Sequence, residues 1–98
     1  AIATANDLIA FGVMKLLYER DIRIPDQISV VGFDNVPTAM YTAPALSTVN
    51  VPKELLGRKA VECFLEGIEE GSGLFLKADC LHRVQAALVN RESIAILK

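Results

Sequence analysis

The apolar positions along the chain change period several times, and each change marks an element. AIATA is a short run of small and β-branched residues that stops at Asn6 and Asp7, and a long apolar-periodic stretch follows at once. Asn and Asp are helix-capping types. The pattern therefore predicts a strand, then a helix from about Asp7 to Arg20 that stops near Asp21, with Pro25 beyond it as a breaker. At about 100° per residue Ile9, Val13, Leu16 and Leu17 share one face, which is expected to pack on a sheet. Ala10, Phe11, Met14 and Tyr18 lie on the adjoining face, leaving Gly12, Lys15 and Glu19 as a narrow polar strip. So wide an apolar arc implies cover on two sides, by the helix's own sheet and by either the rest of a larger domain or another subunit.

After the turn RIPDQ, the continuous β-branched run ISVVGF has the pattern of a strand buried on both faces of a parallel sheet. Strand, helix and strand make a right-handed βαβ unit. The stretch VPTAMYTAPAL, with Pro37 and Pro44, reads as irregular with one helical turn, and LSTVNV reads as a third short strand. Pro52 then stands where a helix begins. From Lys53 to about Glu70, Leu56, Gly57, Ala60, Val61, Cys63, Phe64, Gly67 and Ile68 share one face opposite Arg58, Lys59, Glu62, Glu66 and Glu69, a one-sided amphipathic helix. LFLKADCLHRV and AALVNRESIAIL supply two further strands. The fold class read from this order is α/β, a parallel sheet with flanking helices.

Composition narrows the function classes. With 52% apolar residues and a mean hydropathy of +0.36, the chain is too apolar for a disordered segment. That share also exceeds what one small core can hide, so the 98 residues are expected to be a piece of something larger or to dimerise. No apolar run approaches a bilayer span, and the opening lacks the features of a secretory signal. A net charge of −2 with interspersed signs provides no stripe for nucleic-acid phosphates. Cys63 and Cys80 are too few for a disulfide framework and lack metal-ligand spacing, which favours reduced thiols and a cytoplasmic setting.

Candidate chemistry concentrates at the strand ends. In an open parallel sheet, ligands bind beyond the carboxyl ends of the strands. Asn6 with Asp7, and Asp34 with Asn35, each follow a strand directly. Carboxylates accept hydrogen bonds and amides both donate and accept, so such pairs can grip hydroxyls or ring nitrogens. The plainer roles are helix caps for Asn6 and Asp7 and an Asx turn for Asp34. Asp7 and Asp34 could form an acid/base pair, but no nucleophile elbow, phosphate loop or metal ligand set accompanies them, and His82 flanks an apolar run. No catalytic residue, metal or cofactor is expected.

Four ordered motifs, A-N-D before an apolar helix, I-P-D-Q-I-S-V-V-G-F-D-N, P-A-L-S-T-V, and V-P-x-x-x-x-G-R-x-A-V with L-V-N-R-E-S, resemble the carboxyl-terminal part of the lactose/galactose repressor family of bacterial transcription regulators. The resemblance runs from about Ile2 to Ala95 and corresponds to about the last third of a family member. It implies part of a type I periplasmic-binding-protein-like fold. Residues 1–50 would belong to the carboxyl-terminal subdomain, 51–82 would give a helix and strand to the amino-terminal subdomain, and 83–98 would return, with a hinge near Val49 to Val51.

The resemblance further implies a sugar or purine-like effector at Asn6 and Asp34, with Phe33 as an apolar wall. It implies a homodimer through Phe11, Met14, Tyr18 and Tyr41, and DNA contact only through a helix-turn-helix headpiece outside these residues. No membrane partner is implied. The expected function is effector sensing coupled to DNA binding, the alternative being a sugar-binding transport protein of the same fold. Ala45, Asn50 and Val51 depart from the family's usual pattern, which has a second Pro, a basic residue and a Gln there.

Overall fold

The computed structural model describes residues 1–69 and 82–96. They fall into two compact units, Ala1–Val51 with Ala86–Lys98, and Pro52–Gln85.

In the first unit β1 (Ile2–Ala3) runs parallel to β2 (Val30–Val31), with Ile2 opposite Val30 and Ala3 opposite Val31. The helix α1 (Asp7–Glu19) connects them, completing the βαβ unit. On its other side the β2 segment meets β3 (Thr48–Asn50) through parallel bridges between Val31 and Ser47 and between Asp34 and Asn50. The Gly32 and Asp34 amides donate to the Ser47 and Val49 carbonyls, each at 2.9 Å. β4 (Ala87–Val89) closes the series antiparallel to β3, with Thr48 opposite Val89 and Asn50 opposite Ala87. The ISVVGF strand is thus regular only at Val30–Val31 and continues as single bridges. A short 3-10 helix at Pro37–Tyr41 supplies the helical turn expected between Pro37 and Pro44.

The core of this unit joins Ala10, Met14 and Leu17 of α1 to Val30, Ala39 and Leu46, with Ile2, Phe11, Val13, Ile22, Ile24, Ile28 and Val36 packed around them. This corrects the expected sheet face of α1. Ile9 and Leu16 are each 50% exposed, whereas Ala10 is fully buried. The helix is rotated from the Ile9–Leu16 face because its first residue, Asp7, is buried and fixed by hydrogen bonds on both carboxylate oxygens. A polar anchor at one end sets which of two apolar faces turns inward.

At its other end α1 closes in a Schellman arrangement. Asp21 adopts φ 57°, its amide donates to Tyr18, and the Ile22 amide donates back to the Leu17 carbonyl at 2.9 Å. Ile22 then enters the core instead of extending the helix.

The second unit contains α2 (Lys53–Glu69), whose first turn is joined to Pro52 by the Leu56 amide. Its exposed face carries Glu54–Arg58 and Lys59–Glu62 ion pairs, both at 3.4 Å. Such exposed pairs contribute little individually. No residue of α2 is buried, and Leu55 and Leu65, which lie outside the apolar face expected from periodicity, are exposed as well. The strand expected from LFLKADCLHRV lies mostly outside the described residues, and His82–Val84 are not in a strand. Among the described residues no helix is long and apolar enough to cross a membrane.

Candidate functional site

The parallel order β1, β2, β3 brings three strand ends to one rim. The Asp7 amide donates to the Phe33 carbonyl at 3.0 Å, stitching the loop after β1 to the loop after β2. Asn6 and Asp34 therefore share this rim, as expected for residues that follow adjacent parallel strands.

Asn6 is the cap of α1. Its backbone is extended and its Oδ1 accepts the Ile9 amide at 2.9 Å. The cap uses the oxygen and leaves the Nδ2 hydrogens for another acceptor, so the capping and binding roles weighed for this residue are compatible. Phe33 exposes 41% of its surface beside it. Asp34 and Asn35 both adopt positive φ, 115° and 56°. Asn and Asp tolerate the left-handed region better than most residues, but φ 115° lies beyond it and holds strain of roughly 1–3 kcal/mol. The Asp34 amide bond to Val49 and the Asn35 amide bond to Thr48 Oγ1, at 3.3 Å, keep this turn in place.

Directly beneath the rim is a second set of polar groups. Asp7 is fully buried, and its carboxylate accepts Thr48 Oγ1 at 2.6 Å and the Val36 amide at 2.8 Å. Gly32 makes room for it, because a Cβ there would collide with Asp7 Oδ1 and come within 3.0 Å of Leu46 Cδ2. Ser93 Oγ donates to the Val30 carbonyl at 2.6 Å and accepts the Ser47 amide at 2.7 Å. Ser47 Oγ in turn accepts the Arg91 amide at 2.8 Å.

The Arg91 guanidinium donates to the Leu46 carbonyl at 2.9 Å and to Asn35 Oδ1 at 2.8 Å, and Asn35 Nδ2 donates to Asn50 Oδ1 at 3.0 Å. Asp7, weighed above as a cap or acid/base partner, is thus an internal tie. Only one member of the Asp7–Asp34 pair reaches the surface, since Asp7 is sealed. Thr48, Ser47, Arg91 and Ser93 were not singled out as ties from sequence, and Asn35 was considered there only as a ligand-gripping partner of Asp34. The available signal was small polar residues interrupting otherwise apolar strand runs.

The rim can do recognition chemistry. It offers an amide donor at Asn6, a carboxylate acceptor at Asp34 and an apolar ring at Phe33, a set suited to a polyhydroxylated or heterocyclic small molecule. Among the described residues no cluster of three or more His, Cys, Asp or Glu could hold a metal ion.

The residues considered for subunit contact are placed unequally. Tyr18 and Tyr41 are 82% and 80% exposed, Phe11 is half-buried, and Met14 belongs to the core. A groove of about 730 Å³ opens near the carboxyl end of α1, lined by Met14, Tyr18, Asp21, Ile22, Ile24 and Pro44 among others. None of Asn6, Phe33 or Asp34 lines it.

Against this geometry, the chain matches the periplasmic binding protein-like domain family over residues 1–94. The HTH-type transcriptional repressor PurR of Vibrio atlanticus (strain LGP32) is 46% identical over 70 residues, which is 71% of this chain and 21% of that protein. A LacI family transcriptional regulator from Arthrobacter sp. FB24, solved in complex with lactose, has a TM-score of 0.75 at 34% identity, covering 96% of this chain and 34% of that one. The lac repressor dimer bound to operator and the anti-inducer ONPF has a TM-score of 0.80 at 28% identity, covering 96% and 31%. The chain spans about a fifth of the length of the curated relatives it matches and about a third of the solved ones.

Proposed function

Because the chain belongs to the periplasmic binding protein-like domain family, in its LacI-type branch, we propose that it forms the effector-sensing and dimerisation part of a helix-turn-helix transcriptional regulator. Residues 1–50 and 83–98 form the carboxyl-terminal subdomain, and residues 51–82 contribute to the amino-terminal one. A small sugar or nucleobase-like effector binds at Asn6 and Asp34 and stacks against Phe33.

The observation that supports this reading is the Asp7-to-Phe33 backbone bond, which joins the two strand-end loops that carry Asn6 and Asp34. A hydroxyl or ring N–H donating to Asp34 forms a charge-assisted bond worth roughly 1.5–3 kcal/mol. An effector that also touches the other subdomain favours one relative orientation of the two, and that differential affinity changes DNA binding. Homodimerisation through Phe11, Tyr18 and Tyr41, without Met14, which is buried in the core, pairs two such units. DNA is contacted through a headpiece outside these residues, and the protein acts in the cytoplasm as a binding protein without catalysis. The transcriptional repressors among its relatives support this reading over a transport protein.

The test is operator release by the complete gene product in the presence of sugars (lactose, ribose) and purine bases (adenine, guanine). Asp34→Ala is expected to retain operator binding and lose the effector response. Unchanged response in that variant overturns the assignment of the rim.

A further inference from the structure

The chain leaves the first unit at Val51 and returns to it at Ala86. Asn50, the last residue of β3, pairs with Ala87, the first residue of β4, so the departing and returning crossings start from directly opposed positions of one antiparallel pair. Asn50 is also bridged to Asp34 of the rim. One residue thus meets the rim on one side and the returning crossing on the other.

Side chains close this junction into a loop of bonds. Asn35 Nδ2 donates to Asn50 Oδ1 at 3.0 Å, and Asn35 Oδ1 accepts from Arg91 Nη2 at 2.8 Å. Arg91 lies two residues beyond β4, and its other nitrogen donates to the Leu46 carbonyl, two residues before β3. Asn35 itself sits next to Asp34 in the left-handed turn. Asn35 thus joins Asn50, beside the departing and returning crossings, to Arg91 and Leu46 beyond the opposite end of the β3–β4 pair.

From this arrangement we infer that Asn35, Asn50 and Arg91 form a clamp that ties the strand-end rim to both ends of the β3–β4 pair, whose Asn50–Ala87 end carries the two crossings. The three are positioning residues for the effector response proposed above, and their regulatory role rests on that reading. The connection depends on the Asn50 amide oxygen, since a lysine at that position has no acceptor for Asn35.

Hydrogen exchange of the complete gene product, without ligand, tests the clamp directly. Asn50→Ala is expected to raise exchange in peptides covering residues 48–53 and 84–89 by roughly three- to tenfold, the loss of one partly buried hydrogen bond expressed as local opening. Exchange of the α1 core around residues 10–17 stays at the wild-type level. Arg91→Lys, which keeps the charge but not the two-pronged donation, raises exchange in peptides covering residues 45–48 and 89–93 at the other end of the pair. Asn50→Asp preserves the acceptor for Asn35 and restores wild-type protection to within about twofold.

Unchanged exchange at the crossings, an equal rise in α1, or no rescue by Asn50→Asp overturns the clamp. Because this measurement contains no effector, it is separate from the reading of the rim. Thermal shift of the wild type with lactose, ribose, adenine or guanine tests that reading independently, and its failure leaves the exchange result intact.

Discussion

Asn6, Phe33 and Asp34 at the rim and Asp7, Ser47, Thr48 and Ser93 beneath it all come from the four ordered motifs, yet the two layers have opposite surroundings. The lower layer is fully buried and every one of its side chains is hydrogen-bonded inside the protein. The upper layer is partly or largely exposed. Adjacent residues divide the work: Asp7 ties the fold while Asn6 faces outward, and Asn35 ties the turn while Asp34 stands at its edge. A strained, outward-facing rim persists because a satisfied polar layer beneath it determines its backbone. Substitution should therefore separate stability from binding according to layer.

The largest effect is expected at Asp7. Asp7→Ala leaves the Thr48 hydroxyl and the Val36 amide without their acceptor, and should lower unfolding free energy by about 3 kcal/mol, read as a fall in the urea midpoint. Gly32→Ala pushes a methyl group against the Asp7 carboxylate and Leu46, for a loss of about 2 kcal/mol by the same measurement. Both test whether the lower layer carries the fold.

Smaller effects are expected at the rim. Asn6→Ala removes the helix cap and costs about 1 kcal/mol, whereas Asn6→Ser keeps a capping oxygen, so most of that stability should return while the amide donor to a ligand stays lost. Asp34→Gly should cost far less than Asp7→Ala. Glycine adopts φ 115° without steric cost, which offsets the loss of the carboxylate's own interactions, so the unfolding free energy should change by no more than about 1 kcal/mol as the effector response disappears. A loss as large as that of Asp7→Ala would mean that the carboxylate ties the fold as Asp7 does, and the distinction between the layers would fail there.

The sequence made the elements legible where capping residues and periodicity agreed. The helix beginning at Asp7, the helix beginning at Lys53 after Pro52, and the parallel strand around Val30 all follow from local pattern. The rotation of α1 did not, because its apolar residues cover two faces and a buried carboxylate, invisible to hydrophobic periodicity, selects between them.

The rim was legible for a similar local reason: Asn6 and Asp34 each follow a strand directly, and parallel neighbours place their ends together. The ties beneath it were not. Ser93 reaches Val30 and Arg91 reaches Asn35 across more than half the chain, and a side-chain bond spanning 63 or 56 residues leaves no periodic trace. Only the unexpected polarity of S-T and R-E-S within apolar runs marked the residues involved.

The most direct test of the central claim is the ligand-induced shift in melting temperature of the complete gene product and its Asp34→Ala variant, measured side by side with lactose, ribose, adenine and guanine. The account predicts a concentration-dependent upward shift with at least one of them in the wild type, as mass action requires of a ligand that binds only the folded state, and none in Asp34→Ala. A shift of equal size in both proteins, or no shift in the wild type with any of the four, would contradict it.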